Sequence, residues 1–330
     1  MTFMRSLCVA ALALAAAPAT YAQTLKATTF LPPNHVFSQM LMQWGQELEA
    51  KSNGALKIEL FPSSQLGPAP RQFDLARTGA ADIAVVLGGA TPGRFPMTEL
   101  AGLPLTFPST GSESAITSRR LTELAPDYLA EEFKGTHILM MAVTPPLKLH
   151  LASKDPSDLS VFKGLRIRYA GTIWQQVIEA MGASPVPVGP AETGDALSKR
   201  VVDGTAFPFE ATESFDLAPV LKYSIEPGLA SAAFAIVINQ KTYDGLSPDL
   251  RKLLDDISDP DHAEAVGRTL DENEAEGRAY MTDAGVQMVQ LSDAQLSDLK
   301  EEFAPIVDAQ VKAVDDAGRP GSAFLAAYTK

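Results

Sequence analysis

The sequence holds one cysteine in 330 residues, Cys8, and it lies inside an apolar N-terminal segment. The rest of the chain therefore has no disulfide framework, no thiolate nucleophile and no cysteine metal site. Histidine is nearly as scarce, with only His35, His137, His150 and His262. None of them falls into an H-E-x-x-H or other metal-ligand spacing, and G-x-S-x-G, P-loop and strand-linked G-x-G-x-x-G motifs are missing. Beyond the N-terminal segment, no apolar run approaches the roughly 20 residues that span a bilayer. Positive charge is also short: 27 Lys and Arg stand against 40 Asp and Glu, a net charge of −13. That balance disfavours nucleic acid and anionic membrane surfaces as partners. Acidic pairs such as Glu131-Glu132 and Asp255-Asp256 lie on helical surface patterns and read as solvated faces. The chain has neither an internal repeat nor a low-complexity linker.

The first 22 residues have the features of a signal peptide. Arg5 supplies positive charge, Leu7 to Ala17 is apolar, and Thr20-Tyr21-Ala22 ends in a small residue suited to cleavage before Gln23. Export follows as an expectation; a buried core helix is the other reading of the same run. Cys8 lacks a lipobox context, because Arg5 sits three residues before it, so no lipid anchor is expected. Residues 23–330 are long enough for a core divided between two domains. Without Arg5, the one charged residue of the segment, the net charge becomes −14. An acidic chain that binds anions must concentrate positive charge locally, and Arg166, Arg168, Lys148 and Arg94 are the candidates.

Short apolar runs alternate with helical patterns. Residues 25–31 read as a strand closed by Pro32-Pro33-Asn34, and Val36, Phe37, Met40, Leu41, Trp44 and Leu48 follow helical spacing up to Asn53-Gly54. Leu56, Ile58 and Leu60 alternate with polar residues as in a half-buried strand. A helix near 69–78 ends at Gly79, and Ile83 to Leu87 is a continuous apolar run typical of a buried parallel strand. Further helices are expected near 112–133, from Ser247-Pro248 to about 286, and over 292–317. Strands are expected at 137–143, 147–151 and within 229–238. Two α/β units without a linker suggest that the chain crosses between them more than once, near 143–148 and 226–234.

Residues 163–210 are the most informative. Lys163-Gly164-Leu165-Arg166-Ile167-Arg168, Met181-Gly182-Ala183-Ser184-Pro185-Val186-Pro187-Val188 and Val201-Val202-Asp203-Gly204-Thr205-Ala206-Phe207 read as three strands with helices between. Alternation sends Arg166 and Arg168 from one face of a strand near its carboxyl end, where open α/β sheets place ligand crevices.

These segments resemble the solute-binding proteins of tripartite ATP-independent periplasmic (TRAP) transporters, of the DctP or dicarboxylate-binding type. "GALKIELFPSSQLG" from Gly54 to Gly67, Arg94-Phe95-Pro96 and Leu103-Pro104-Leu105 extend the likeness in the family's order. The resemblance implies an α/β, two-lobed periplasmic-binding-protein fold with discontinuous domains, hinge strands and a long helix spanning both lobes. Lobe I would take 23–145 plus about 234–273, and lobe II 146–233 plus about 274–330. It also implies a monomeric, periplasmic binding protein without a cofactor, not an enzyme. Such a protein captures a small organic acid and delivers it to integral membrane subunits driven by an ion gradient. Three alternatives remain: a receptor for another transporter class, a sensor partner, and an exported hydrolase. The last would need a nucleophile or general base beside Arg168, and none is evident.

Among site residues, the resemblance matches Arg168 to the arginine that grips the ligand carboxylate; on residues alone, a solvated or salt-bridged strand arginine is equally open. Guanidinium meets a carboxylate with two parallel hydrogen bonds, which ammonium cannot do. Arg166 reads as structural. Lys148 and His150 are candidates for a second polar contact, with a solvated strand face as the other reading. Phe207 stands where many family members carry Asn, so it is expected to shape the apolar side of the pocket. Phe209 reads as core, and Glu210 follows on the same segment. Asn34 and His35 sit at a helix N-terminus, either offering N–H groups to an anion or capping the helix. Arg94 either faces the cleft or pairs with a surface acid.

Overall fold

Parallel strands need crossover helices, and the alternating pattern supplies them. The computed structural model describes residues 22–106 and 113–330, so residues 1–21 of the expected signal segment, Cys8 included, lie outside the described residues. The strands are β1 (Gln23–Thr28), β2 (Leu56–Phe61), β3 (Ile83–Leu87), β4 (Thr136–Val143), β5 (Lys148–Leu151), β6 (Arg166–Tyr169), β7 (Ser184–Pro187), β8 (Gly204–Phe207), β9 (Tyr223–Glu226), β10 (Ala233–Asn239) and β11 (Gln287–Gln290). The helices are α1 (Val36–Lys51), α2 (Gln72–Thr78), α3 (Pro96–Glu99), α4 (Glu113–Tyr128), α5 (Thr172–Ala180), α6 (Thr193–Ser198), α7 (Phe209–Ser214), α8 (Gln240–Gly245), α9 (Pro248–Asp256), α10 (Pro260–Asp283), α11 (Asp293–Asp316) and α12 (Gly321–Tyr328).

Two mixed sheets form, in the orders β2-β1-β3-β10-β4 and β11-β9-β5-β8-β6-β7. The chain passes from the first sheet to the second between β4 and β5, and returns between β9 and β10. At these two crossings the arriving strand inserts antiparallel, β5 between β8 and β9 and β10 between β3 and β4, whereas β11 returns to the second sheet after α10 and joins its edge parallel to β9. The two connections run side by side. Thr144 N–H donates to Ala232 O (3.0 Å), Leu147 N–H to Ala230 O (2.7 Å) and Leu229 N–H to Leu147 O (2.9 Å). β3 and β10 are buried at every residue, as expected of apolar strands covered on both faces.

β5 departs from the expected alternation. Lys148 and His150 are as buried as Leu149 and Leu151. The face that reads as solvated is covered, because α7 and α10 bring Phe209 and Glu274 over it. α10 opens on Asp259, whose Oδ1 accepts from His262 N–H (2.9 Å), with Pro260 in the first turn. Along its length α10 packs on α4 and then on α7, so it touches elements tied to both sheets. Two glycines permit these contacts: a Cβ at Gly267 would lie 2.2 Å from Ser114 O, and one at Gly277 2.2 Å from Phe209 O. After β11, α11 packs against α5. α12 packs against α4, where Arg120 Nη1 donates to Tyr328 O (2.6 Å). Among the described residues, no helix is long and apolar enough to cross a membrane.

Candidate functional site

Two arginines leave the same face of β6 and meet opposite environments. Arg166 is exposed and forks onto Asp203, with Nε to Oδ2 at 3.0 Å and Nη2 to Oδ1 at 2.9 Å. Asp203 Oδ2 also accepts from Arg166 N–H (2.9 Å), so it clamps the strand end structurally. The next residue, Gly204, lets β8 pass close to β5, since a Cβ there would lie 2.5 Å from His150 O. Arg168 is 2% exposed. Its Nε donates to Val188 O (2.9 Å) and its Nη1 to Ala206 O (3.2 Å). The guanidinium carbon lies 4.2 Å from the centroid of the Phe207 ring, a cation–π contact. Nη2 is buried and has no hydrogen-bond partner among the described residues. Burial pulls the pKa of Arg168 down to about 9, partly offset by the charge of Glu192. The group is still a cation at neutral pH, and a desolvated cation without an ion-pair partner is unfavourable by several kcal/mol.

Arg168 faces a small cavity of about 50 Å³ between the two sheets. Phe30 and Phe234, stacked at 6.3 Å, wall it from the first sheet. Phe207 and Phe215, tilted at 5.8 Å, wall it from the second. Thr144, Leu147 and Ala232 close it along the two connections. The Thr144 hydroxyl oxygen is already engaged there, accepting from Ala232 N–H (3.1 Å).

A second polar corner of the cavity is built by His35 and Glu210. His35 caps α1, its Nδ1 accepting from Phe37 N–H (3.2 Å). Burial drives its pKa down to about 3. The ring is therefore neutral, and with Nδ1 accepting, the proton sits on Nε2. Nε2 lies 3.4 Å from Glu210 Oε2. Glu210, in the first turn of α7, is 3% exposed. Its backbone N–H donates to Glu274 Oε2 (3.0 Å). Burial, and then the charge of Glu274, push the Glu210 carboxyl up to about 8, against the opposing pull of Lys148. Oε2 is buried without a hydrogen bond among the described residues.

Of the sequence candidates, Arg168, Phe207 and Glu210 come together at the cavity, while Lys148, His150, Asn34 and Arg94 do not line it. Lys148 ion-pairs with Glu274 and lies 4.9 Å from the Phe209 ring. His150 stands behind the wall: its Nε2 donates to Phe207 O (3.0 Å) and its Nδ1 accepts from the Ser224 hydroxyl. Burial lowers its pKa to about 3, so His150 is a neutral brace for β8. Asn34 is exposed, and the helix cap is His35 in its place. Arg94 forks onto Asp74 at 2.9 and 3.1 Å over the Phe73 ring. Phe30, Phe215, Phe234 and Thr144 were not foreseen. They come from four separate segments: Phe30 just after β1, Thr144 on the first connection, Phe215 at the end of α7 and Phe234 at the start of β10.

A second contact between the lobes lies beside the cavity. Gly89 and Gly171 meet backbone to backbone, and a Cβ at Gly89 would fall 2.9 Å from Gly171 Cα. Glu99 reaches across toward Thr172 at the start of α5, and burial raises its pKa to about 7 against the opposing pull of Thr172.

Residues 27–313 match the profile of the family described as bacterial extracellular solute-binding protein, family 7. A TRAP solute-binding protein from Rhodoferax ferrireducens, solved with co-purified benzoate, is 28% identical. It superposes with a TM-score of 0.88 over 93% of this chain and 97% of that one. One from Bordetella bronchiseptica, with bound (R)- and (S)-mandelate, is 30% identical, with a TM-score of 0.84 over 93% and 98%. The 2,3-diketo-L-gulonate-binding periplasmic protein YiaO of Escherichia coli is 27% identical over 82% of this chain and 84% of its own length. The chain belongs to bacterial extracellular solute-binding protein family 7, as a two-lobed, DctP-type solute-binding protein of TRAP transporters and not an enzyme.

Proposed function

We propose that this protein works in the periplasm as a monomeric receptor that captures an aromatic monocarboxylate and hands it to the membrane subunits of a TRAP transporter. Export would use the N-terminal segment, and nucleic acid plays no part. In this reading lobe I is 23–145 plus about 234–273, and lobe II is 146–233 plus about 274–330, with α12 packing back on α4. The lobes close over the ligand about the paired connections by hinge motion.

One observation carries the ligand class: the buried Arg168 guanidinium, with its unpartnered Nη2, faces a cavity walled by four phenylalanines. A carboxylate supplies the missing acceptor and neutralises the cation. An aromatic ring matches walls that gain about 0.5–1.5 kcal/mol per well-placed ring contact beyond area burial. The benzoate and mandelate found in the two structural relatives are both aromatic carboxylates, which supports the same choice.

Isothermal titration with benzoate, benzamide and succinate tests it. Benzoate should bind, benzamide should lose most of the affinity, and succinate should trail benzoate for want of ring contacts. Arg168→Ala should weaken benzoate by about 2–5 kcal/mol, as expected when one partner of a buried charge pair is removed. Arg168→Lys should recover part of it. Circular dichroism controls for folding. Equal binding of benzamide, or unchanged affinity in Arg168→Ala, would remove Arg168 as the anchor.

A further inference from the structure

We propose that His35 and Glu210 form a hydroxyl-reading corner, so that the preferred ligand is a hydroxylated aromatic monocarboxylate and not a dicarboxylate. This rests on the reading of the cavity as an aromatic-carboxylate site. Both side chains line the Arg168 cavity and both are almost fully buried. Their valences are left open in a complementary way. His35 Nδ1 is committed to Phe37 N–H, which leaves Nε2–H as a fixed donor. Glu210 Oε2 is an acceptor without a hydrogen bond among the described residues, and at 3.4 Å the two do not saturate one another. A hydroxyl is the small group that fits both needs, because its oxygen accepts from Nε2–H while its proton goes to Glu210. Glu210 can take that proton as a carboxylate or through the carbonyl oxygen of the neutral acid, so the contact does not depend on its ionisation.

The surroundings argue against a second carboxylate. The groups facing Glu210 are Glu274 on α10, Lys148 on β5 and His35 ahead of α1. Lys148 is already ion-paired with Glu274, and His35 is held neutral by burial. An added anion would therefore enter a corner with two acidic residues and no free cation among the described residues. It would also need Glu210 to stay protonated. Burial first, and then the charge of Glu274, raises the Glu210 carboxyl, and the same burial weighs on any second anion placed beside it.

The test titrates benzoate, its three hydroxy isomers, the matching methoxybenzoates and the matching benzenedicarboxylates against the whole protein. At least one hydroxybenzoate should bind about fivefold more tightly than benzoate, the scale of one net hydrogen bond. Its methyl ether, which accepts but cannot donate, should lose that gain, and its dicarboxylate counterpart should bind more weakly than benzoate. In Glu210→Leu the ratio of hydroxybenzoate to benzoate affinity should collapse to near one. In Glu210→Gln, which keeps a donor and an acceptor, most of the ratio should survive. The ligand series needs no variant, so a folding defect in either one leaves the proposal testable. Hydroxyl, methoxy and unsubstituted rings binding alike would overturn it, as would a dicarboxylate matching the hydroxy acid or an unchanged ratio in Glu210→Leu. If benzoate binds and the hydroxyl adds nothing, only this proposal falls. If aliphatic acids bind and no aromatic acid does, the aromatic reading falls and takes the proposal with it.

Discussion

Buried carboxyls and buried imidazoles push stability in opposite directions as pH changes, and this protein has both. Glu210 and Glu99 have folded-state pKa values raised to about 8 and about 7 from an ordinary value of 4.5. Their contribution is complete below the unfolded value and is lost as pH rises through the folded one. His35 and His150 are lowered to about 3 from 6.5, so their contribution is complete above 6.5 and lost as pH falls toward 3. Below pH 6.5 the two sets oppose each other; between 6.5 and about 8.5 only the acids act. The unliganded melting temperature should therefore fall across that upper window, and in Glu210→Gln it should fall less steeply. Thermal melts at constant ionic strength check both slopes; a midpoint that rises with pH, or matching slopes in the two proteins, would contradict the assignment. The sequence alone offered little of this. Arg168 stands out through the family motif alone, since on residues alone a solvated or salt-bridged strand arginine is equally open. Glu210 was legible only as the residue after Phe209. Nothing local marks an acid as buried when α10, 64 residues away, supplies the Glu274 that covers it.

Elements were legible where a whole period could be read. β3 is a run of five apolar residues, α1 carries apolar residues at helical spacing, and the structure places both where the pattern does. A four-residue strand is legible only where a turn signal or a motif flanks it, as at β6, β7 and β8. β9 and β11 are not among the expected strands: Tyr223–Glu226 offers only two alternations, and Gln287–Gln290 offers none, since Met288 and Val289 are adjacent. β5 starts one residue later than the expected 147–151 and lies in another environment, since alternation of Lys148 and His150 with leucines signals a solvated face only when no helix lies over it. The helix that does so depends on Gly277. On propensity alone, Gly277→Ala should stabilise α10 by about 1 kcal/mol. The new Cβ, however, would lie 2.2 Å from Phe209 O and 2.5 Å from Phe209 C, both backbone atoms. Helix and α7 must separate, so a net loss of about 1–3 kcal/mol is expected, the usual scale of overpacking. Because α7 carries Glu210, benzoate affinity should fall as well. Urea denaturation and titration of the variant decide it: a gain in stability near 1 kcal/mol would mean that the contact relaxes freely.

At the scale of the molecule, the lack of a linker was the useful signal. Two α/β units with no flexible joint must share the chain, and the crossings at 143–148 and 226–234 follow the structure's passage from β4 to β5 and from β9 to β10. What could not be read was how the lobes meet, because contacts such as Gly89 with Gly171 join residues 82 positions apart with no side chain to advertise them. That contact offers a direct test of closure. A side chain at Gly89 would press on Gly171 Cα at 2.9 Å only when the lobes are together, whereas an open arrangement leaves it free. Gly89→Val should therefore weaken every ligand by a similar factor, roughly 5- to 150-fold if the clash is worth about 1–3 kcal/mol. The loss should appear mainly as faster dissociation, and the ranking of acids should stay as in the unaltered protein. The unliganded melting temperature should hold, because the strain exists only in the closed form. Small-angle scattering should show ligand-induced compaction in the unaltered protein and less of it in the variant. Unchanged affinity together with a lowered unliganded melting temperature would show that the glycine pair is a permanent part of the packing, and the hinge would have to lie elsewhere.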